Sequence, residues 1–387
     1  MRNLKKVLSI TAAAAMAVST VTPVSVFAES EETFKIGVIG PMTGDYAQYG
    51  NGVYNAAKIA ADEINANGGF NGYQVEILDA GDDQGDPEKA VNAYNDLLDK
   101  GMQMLCGTVT SGACIAVGAE AADSTFLFTP SATAVESIQY DNAFRMCFSD
   151  PNQGSASADY IADNNLAKKV AVIYNSSDTY SSGIYQNFVT EAEKKGLEVV
   201  AAKAFTADNK TDFSVQIQKA KDAGAELVFL PIYYQEASLI LAQANKAGFS
   251  PKWFGCDGMD GILDLEGFDA SLAENLMFLT PFTANATDDA TQKFVADFKD
   301  AFGDTPIQFA ADAYDCVYAI KAAAEKENIT PDMSASDICD ALKKGMTEIT
   351  YDGLTGKSIT WSEDGEPTKD PTVVVVQNGE YQVLEAK

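Results

Sequence analysis

Hydrophobic and polar positions alternate in two rhythms along this chain. Short apolar runs read as buried strands: "FKIGVIG" (34–40), "YQVEILDA" (73–80), "MQMLCG" (102–107), "TFLFTP" (125–130) and "NAFRMCF" (142–148). Between them, apolar residues recur every three or four positions. "GVYNAAKIAADEINAN" sets Val53, Ala56, Ala57, Ala60, Ala61 and Ile64 on one stripe and stops at Gly68-Gly69, a helix-ending signal. The pattern restarts with "KKVAVIY" (168–174), "LEVVAAKAF" (197–205), "AELVFLP" (225–231), "KWFGC" (252–256) and "NLMFLTP" (275–281), again with helical segments between. Strands alternating with helices predict parallel sheets covered on both faces. The expected fold is therefore α/β, as two doubly wound lobes with mainly parallel sheets. The tail "KSITWSEDGEPTKDPTVVVVQNGEYQVL" reads as strands and a hairpin turning at Asn378-Gly379.

Composition narrows the function. The first 28 residues combine a basic start (Arg2, Lys5, Lys6), an apolar stretch, and small residues at Val26 and Ala28. That is the pattern of a signal peptide cleaved after Ala28. The expected location is extracytoplasmic, in the periplasm or at the cell exterior. No cysteine precedes Cys106, so lipid attachment behind the signal has no acceptor. Without residues 1–28 the net charge moves from −29 to −32, which disfavours nucleic acid and anionic membranes as partners. No later apolar run approaches ~18 residues, the length of a membrane span. A chain of 387 residues is too long for one ordinary core. Lobe 1 is expected at 33–150 plus about 281–356, and lobe 2 at 151–280 plus about 357–387.

The chain has no histidine, which removes His-based nucleophile pairs and His-ligated zinc. No C-x-x-C, G-x-S-x-G or G-x-G-x-x-G motif stands where a strand meets a helix. No metal, cofactor or catalytic residue is expected. Six cysteines allow 15 disulfide arrangements, but lobes of this size do not need staples. Cys106 and Cys114 are the pair closest in sequence.

Ligands of open α/β sheets sit at the carboxyl ends of strands. One lobe offers "TVTSGA" and "SATA" there, with the short hydroxyls of Ser111, Ser131 and Thr133 beside free backbone N–H groups. A helix start with no nearby charge suits a carboxylate. Tyr49 belongs to the same lobe. The other lobe offers Tyr180, Tyr233, Tyr234 and one acid, Asp257. A carboxylate suits an ammonium, and aromatic faces suit an apolar body. Together these describe a zwitterionic amino acid. Asp257 would be its only carboxylate contact, with Asp260, three residues on, a bystander in the same loop.

The segments "IGPMTGDYAQYGNGVYNAAKIAADEINANGGFNG", "DDQGDPEKAVNAYNDLL", "TPSATA", "FLPIYYQEASLILAQANKAGF" and "AADAYDCVYAI" add a further signal. In this order and spacing the chain resembles the type I periplasmic binding proteins of branched-chain amino acid ABC transporters. The resemblance implies three interlobe crossovers and a ligand closed between the lobes. It implies Ser111 and its neighbouring N–H groups on the ligand carboxylate, Ser131 and Thr133 holding both charged groups, and Tyr49 against the side chain. It places Tyr180, Tyr233 and Asp257 on the second lobe, with Asp257 on the ammonium. The implied partners are a small-molecule amino acid, best matched by an aliphatic one, and a membrane permease; the protein is expected to act as a monomer. Competing readings are a sensor reporting to a receptor, a binder of another amino acid or short amide, and an enzyme working with carboxylates alone.

Overall fold

The computed structural model describes residues 32–384 apart from Asp123. The proposed signal peptide, residues 1–28, lies outside the described residues. The first lobe contains β1 (Thr33–Gly37), β2 (Ile39–Gly40), α1 (Ala47–Ala66), β3 (Gln74–Ile77), β4 (Gly81–Asp82), α2 (Pro87–Asp99), β5 (Met104–Cys106), α3 (Ser111–Ala121), β6 (Phe126–Thr129) and β7 (Ala143–Arg145). Its main sheet is parallel, in the order β3-β1-β5-β6-β7. The predicted α1 stripe is buried in full. The helix ends where Gly68 and Gly69 turn left-handed, and at Gly69 a Cβ would collide with the Tyr73 carbonyl.

The second lobe follows with α4 (Asp150–Asp163), β8 (Lys169–Asn175), α5 (Thr179–Lys195), β9 (Glu198–Phe205), α6 (Ser214–Asp222), β10 (Leu227–Leu230), α7 (Tyr234–Lys246), β11 (Lys252–Gly255) and β12 (Met277–Thr280). The chain then returns as α8 (Asp289–Phe302), α9 (Gln308–Glu327) and α10 (Ala335–Glu348). Helix α9 packs on α1 and α10, and α8 on α1, so all three complete the first lobe. Finally β13 (Thr372–Gln377) and β14 (Glu380–Val383) extend the second sheet, in the order β14-β13-β12-β11-β10-β8-β9. These two strands are antiparallel and turn at Asn378-Gly379, both at positive φ as the dipeptide predicts. The chain passes between lobes three times: after β7, after β12 and before β13.

The stretch 351–368 makes isolated bridges, Tyr351 with Ile359 and Trp361 with Pro367, in place of the strands its sequence suggested. Its backbone bonds are mostly internal, and its anchors lie on the first lobe. The Trp361 ring meets Phe128 edge-on at 5.7 Å, and its indole N–H donates to the Arg145 carbonyl at 2.8 Å. All six cysteines are buried and none is in a disulfide, so Cys106 and Cys114 are not bonded to each other.

One buried ammonium ties the passages together. Lys369, just before β13, donates to Asp312 on α9 at 2.5 Å, to the Met146 carbonyl at 3.0 Å and to Thr355 at 2.7 Å. Both charged side chains are 2% exposed or less. Removing one partner of such a pair costs about 3–5 kcal/mol, because the other is left uncompensated. Lys369→Met should lower the urea midpoint accordingly, and adding Asp312→Asn should restore most of the loss. Wild-type stability for Lys369→Met would contradict this account of the hinge.

Candidate functional site

Segments that follow strands of the two lobes meet, as at Tyr49 and Gly258. On the first lobe, the loops after β5 and β6 are stitched by hydroxyls. Thr129 donates to the Thr108 carbonyl at 2.6 Å and accepts from the Ala132 amide at 2.9 Å. Ser131 donates to the Val109 carbonyl at 2.8 Å. Ser111, the first residue of α3, accepts from the Ala134 amide at 3.2 Å. The N-cap of α3, Thr110, makes no side-chain cap bond, and no acid stands in the first turn. The hydroxyls of Thr108, Thr110 and Thr133 are buried without a hydrogen-bond partner. A helix start with uncapped amides and unpartnered hydroxyls can receive an anion.

On the second lobe, Asp257 begins the short 3₁₀ turn Asp257–Met259 behind β11. It accepts from the Tyr180 hydroxyl at 2.7 Å and from the Gly258 amide at 2.8 Å, while its own N–H donates to Gln153 at 3.0 Å. Tyr180, from α5, stacks on Tyr233 at 4.7 Å with rings 6° apart. Asp257 is 2% exposed, and burial pushes its carboxyl up to about 7 against the pull of Tyr180, Gln153 and Gly258.

Aromatic side chains join the lobes. Tyr49 donates across the cleft to the Gly258 carbonyl at 2.6 Å. Its ring packs against Tyr234 at 4.9 Å, Phe309 at 4.8 Å and Tyr233 at 5.9 Å. At the rim, Lys210 of the second lobe pairs with Asp45 of the first at 2.7 Å and lies 5.2 Å over the Tyr46 ring. Tyr46 donates to Glu236 and Tyr234 to the Asp45 carbonyl, at 2.7 and 2.9 Å.

Tyr49, Tyr180, Tyr233 and Asp257 thus form one bonded cluster, and Ser111, Ser131 and Thr133 share one pair of stitched loops. The Asp150 amide links the two groups by donating to the Thr133 carbonyl at 2.8 Å. Asp150 is a second acid that the sequence reading missed. It is 2% exposed, one of its oxygens has no partner, and burial raises its pKa, helped by the nearby Asp257 charge. In the sequence Asp150 stands in "SDP", a pattern that by itself marks no more than a helix start. Asp260 has a structural partner in the other lobe. Its carboxylate accepts the Gln308 amide at 2.7 Å, capping α9 of the other lobe. Among the described residues no group of His, Cys, Asp or Glu is placed to hold a metal, and no helix is long and apolar enough to cross a membrane.

Residues 33–380 match a family model described as periplasmic binding protein. The Leu/Ile/Val-binding protein homolog 3 of Brucella melitensis is 32% identical over 338 residues, 86% of this chain and 88% of that protein. The leucine-, isoleucine-, valine-, threonine- and alanine-binding protein of Pseudomonas aeruginosa is 30% identical over 356 residues, 91% of each. Among solved structures, the branched-chain amino acid transporter substrate binding protein LivJ of Streptococcus pneumoniae, in complex with isoleucine, superposes with a TM-score of 0.80. It shares 28% identity, covering 91% of this chain and 99% of that one.

Helix α9 has no cap from its own N-cap residue, Ile307. Asp260→Ala should therefore cost about 0.5–2 kcal/mol in thermal or urea unfolding. Asp260→Asn, which keeps an oxygen acceptor, should recover most of it. An unchanged melting temperature for the alanine variant would remove Asp260 from the seam.

Proposed function

Because the chain belongs to the periplasmic binding protein family, we propose that it captures an aliphatic α-amino acid between its lobes and delivers it to the membrane permease of an ABC transporter. The observation that carries this reading is the pairing of opposite poles. An uncharged helix start with unpartnered hydroxyls belongs to one lobe and a buried acid held by Tyr180 to the other, with Asp150, bonded to Thr133, near enough to Asp257 for their charges to interact. The relatives bind leucine, isoleucine and valine, and their overall likeness extends along nearly the whole mature chain. In this reading the ligand carboxylate rests at the start of α3 with Ser111, Ser131 and Thr133. The ammonium pairs with Asp257. Tyr49 and Tyr233 bound the side chain. The protein works outside the cytoplasm as a monomer, after loss of residues 1–28, and performs no chemistry on its cargo.

Calorimetry against the amino acids tests the ligand class, and Leu, Ile or Val should bind most tightly. Asp257→Ala should cost about 2–5 kcal/mol of binding, roughly thirtyfold or more in affinity. Ligand should also contract the radius of gyration in small-angle scattering, as lobes close about their connections.

The raised carboxyl gives a pH signature. A buried acid with pKa near 7 favours the folded protein fully only below about 4, and that contribution is lost as pH rises through 7. An ammonium needs the ionised form, so binding must expel a proton wherever Asp257 holds one. Affinity should fall as pH drops from 7 toward 5, with proton release at pH 6 visible as a buffer-dependent binding enthalpy. Asp257→Asn should bind more weakly and lose that release. An amino acid bound with no proton release, in wild type and variant alike, would contradict the ammonium assignment.

A further inference from the structure

Resting on the amino-acid reading above, we propose that Arg145 is the positioning residue that makes the cradle at α3 selective for a carboxylate. Beyond residue 28 it is the only arginine in a chain that otherwise uses lysine. It ends β7 at 1% exposure, in register with Thr129, directly behind the loop of interest. One guanidinium nitrogen donates to three successive carbonyls: Ala132 at 3.4 Å, Thr133 at 2.6 Å and Ala134 at 3.0 Å.

A trans peptide points its N–H opposite to its C=O. Turning these three carbonyls toward Arg145 therefore turns the N–H groups of Thr133, Ala134 and Val135 away from it. One of them, Ala134, reaches the Ser111 hydroxyl at the α3 start. Three peptide dipoles are thus aligned, negative ends on the guanidinium and positive ends toward the cradle. The planar fork of arginine suits this task, and a lysine ammonium would not span it equally.

The charge itself is poorly cancelled. The Arg145 Nε stands 2.9 Å from Glu366, but that side chain is 39% exposed and water screens it, and the buried Asp150, whose charge also feels Arg145, is pushed toward its neutral form by burial. A buried positive charge behind a neutral loop attracts an anion in front of it without touching it. The cradle is in this way neutral in its contacting groups and positive in its field.

The test compares leucine, isoleucine and valine with leucinamide, which keeps the ammonium and lacks the carboxylate charge. Arg145→Met should weaken the three amino acids by about thirtyfold and leucinamide by no more than about threefold. Arg145→Lys should fall between. Glu366→Gln leaves Arg145 in place and removes its partial counter-charge; it should tighten leucine by about two- to fivefold and leave leucinamide unchanged. That variant alters an exposed residue and carries the test if Arg145→Met does not fold. Equal losses for leucine and leucinamide in Arg145→Met, or no gain in Glu366→Gln, would overturn the proposal while leaving the amino-acid reading intact. Wild-type protein that binds none of the three amino acids would overturn both.

Discussion

A charge taken out of water must be answered nearby, and the interior of this protein is arranged around that demand. Lys369 and Asp312 answer each other at the hinge. Asp260 is answered by the amide at the start of α9, and Asp257 by a tyrosine hydroxyl and its neighbour's amide. Dehydrating any of these groups alone costs several kcal/mol. Each pairing therefore fixes a distance between segments that the hydrophobic core would leave loosely specified. The apolar cores hold the lobes together internally and meet across the seam at Tyr49 and Tyr234; the buried polar groups add directional bonds to that contact.

This division explains what could be read from the chain. Helix α1 and its glycine stop were legible because a stripe of small apolar residues and a left-handed turn are local properties. The Asn378-Gly379 hairpin was legible for the same reason. The hydroxyl-rich loops after β5 and β6 stood out because strand ends collect polar residues. The seam did not stand out. Asp260 precedes a glycine at φ 97° and looks like any turn residue, yet its partner is 48 positions away. Lys210 and Asp45 are 165 positions apart. Nothing local in a lysine says that it will cross a cleft. The strand-like pattern of 357–368 misled for a related reason, since its backbone bonds close mostly on its own loop, as Thr368 to Thr360 and Ser362 to Glu366, and reach the sheet only at Arg145.

Arg145 was legible in principle. A single arginine beyond residue 28, in a chain that otherwise uses lysine there, is a signal of geometry rather than charge, because any cation would serve solubility. Its place in the apolar run "NAFRMCF" was the second clue, since a guanidinium is rarely buried unless several acceptors await it.

Neither lobe is a continuous piece of chain. The first sheet is finished early, but its cover of α8, α9 and α10 arrives only after the whole run from α4 to β12. The second sheet waits longer still, because β12 gains its outer neighbour from β13, nearly a hundred residues later. A chain emerging from its N-terminus therefore carries two half-built cores through the whole run from α4 to β12. The first is covered once α10 arrives, and the second stays open until the segment with Lys369 and β13 appears. Such an order favours a chain kept extended until it is whole.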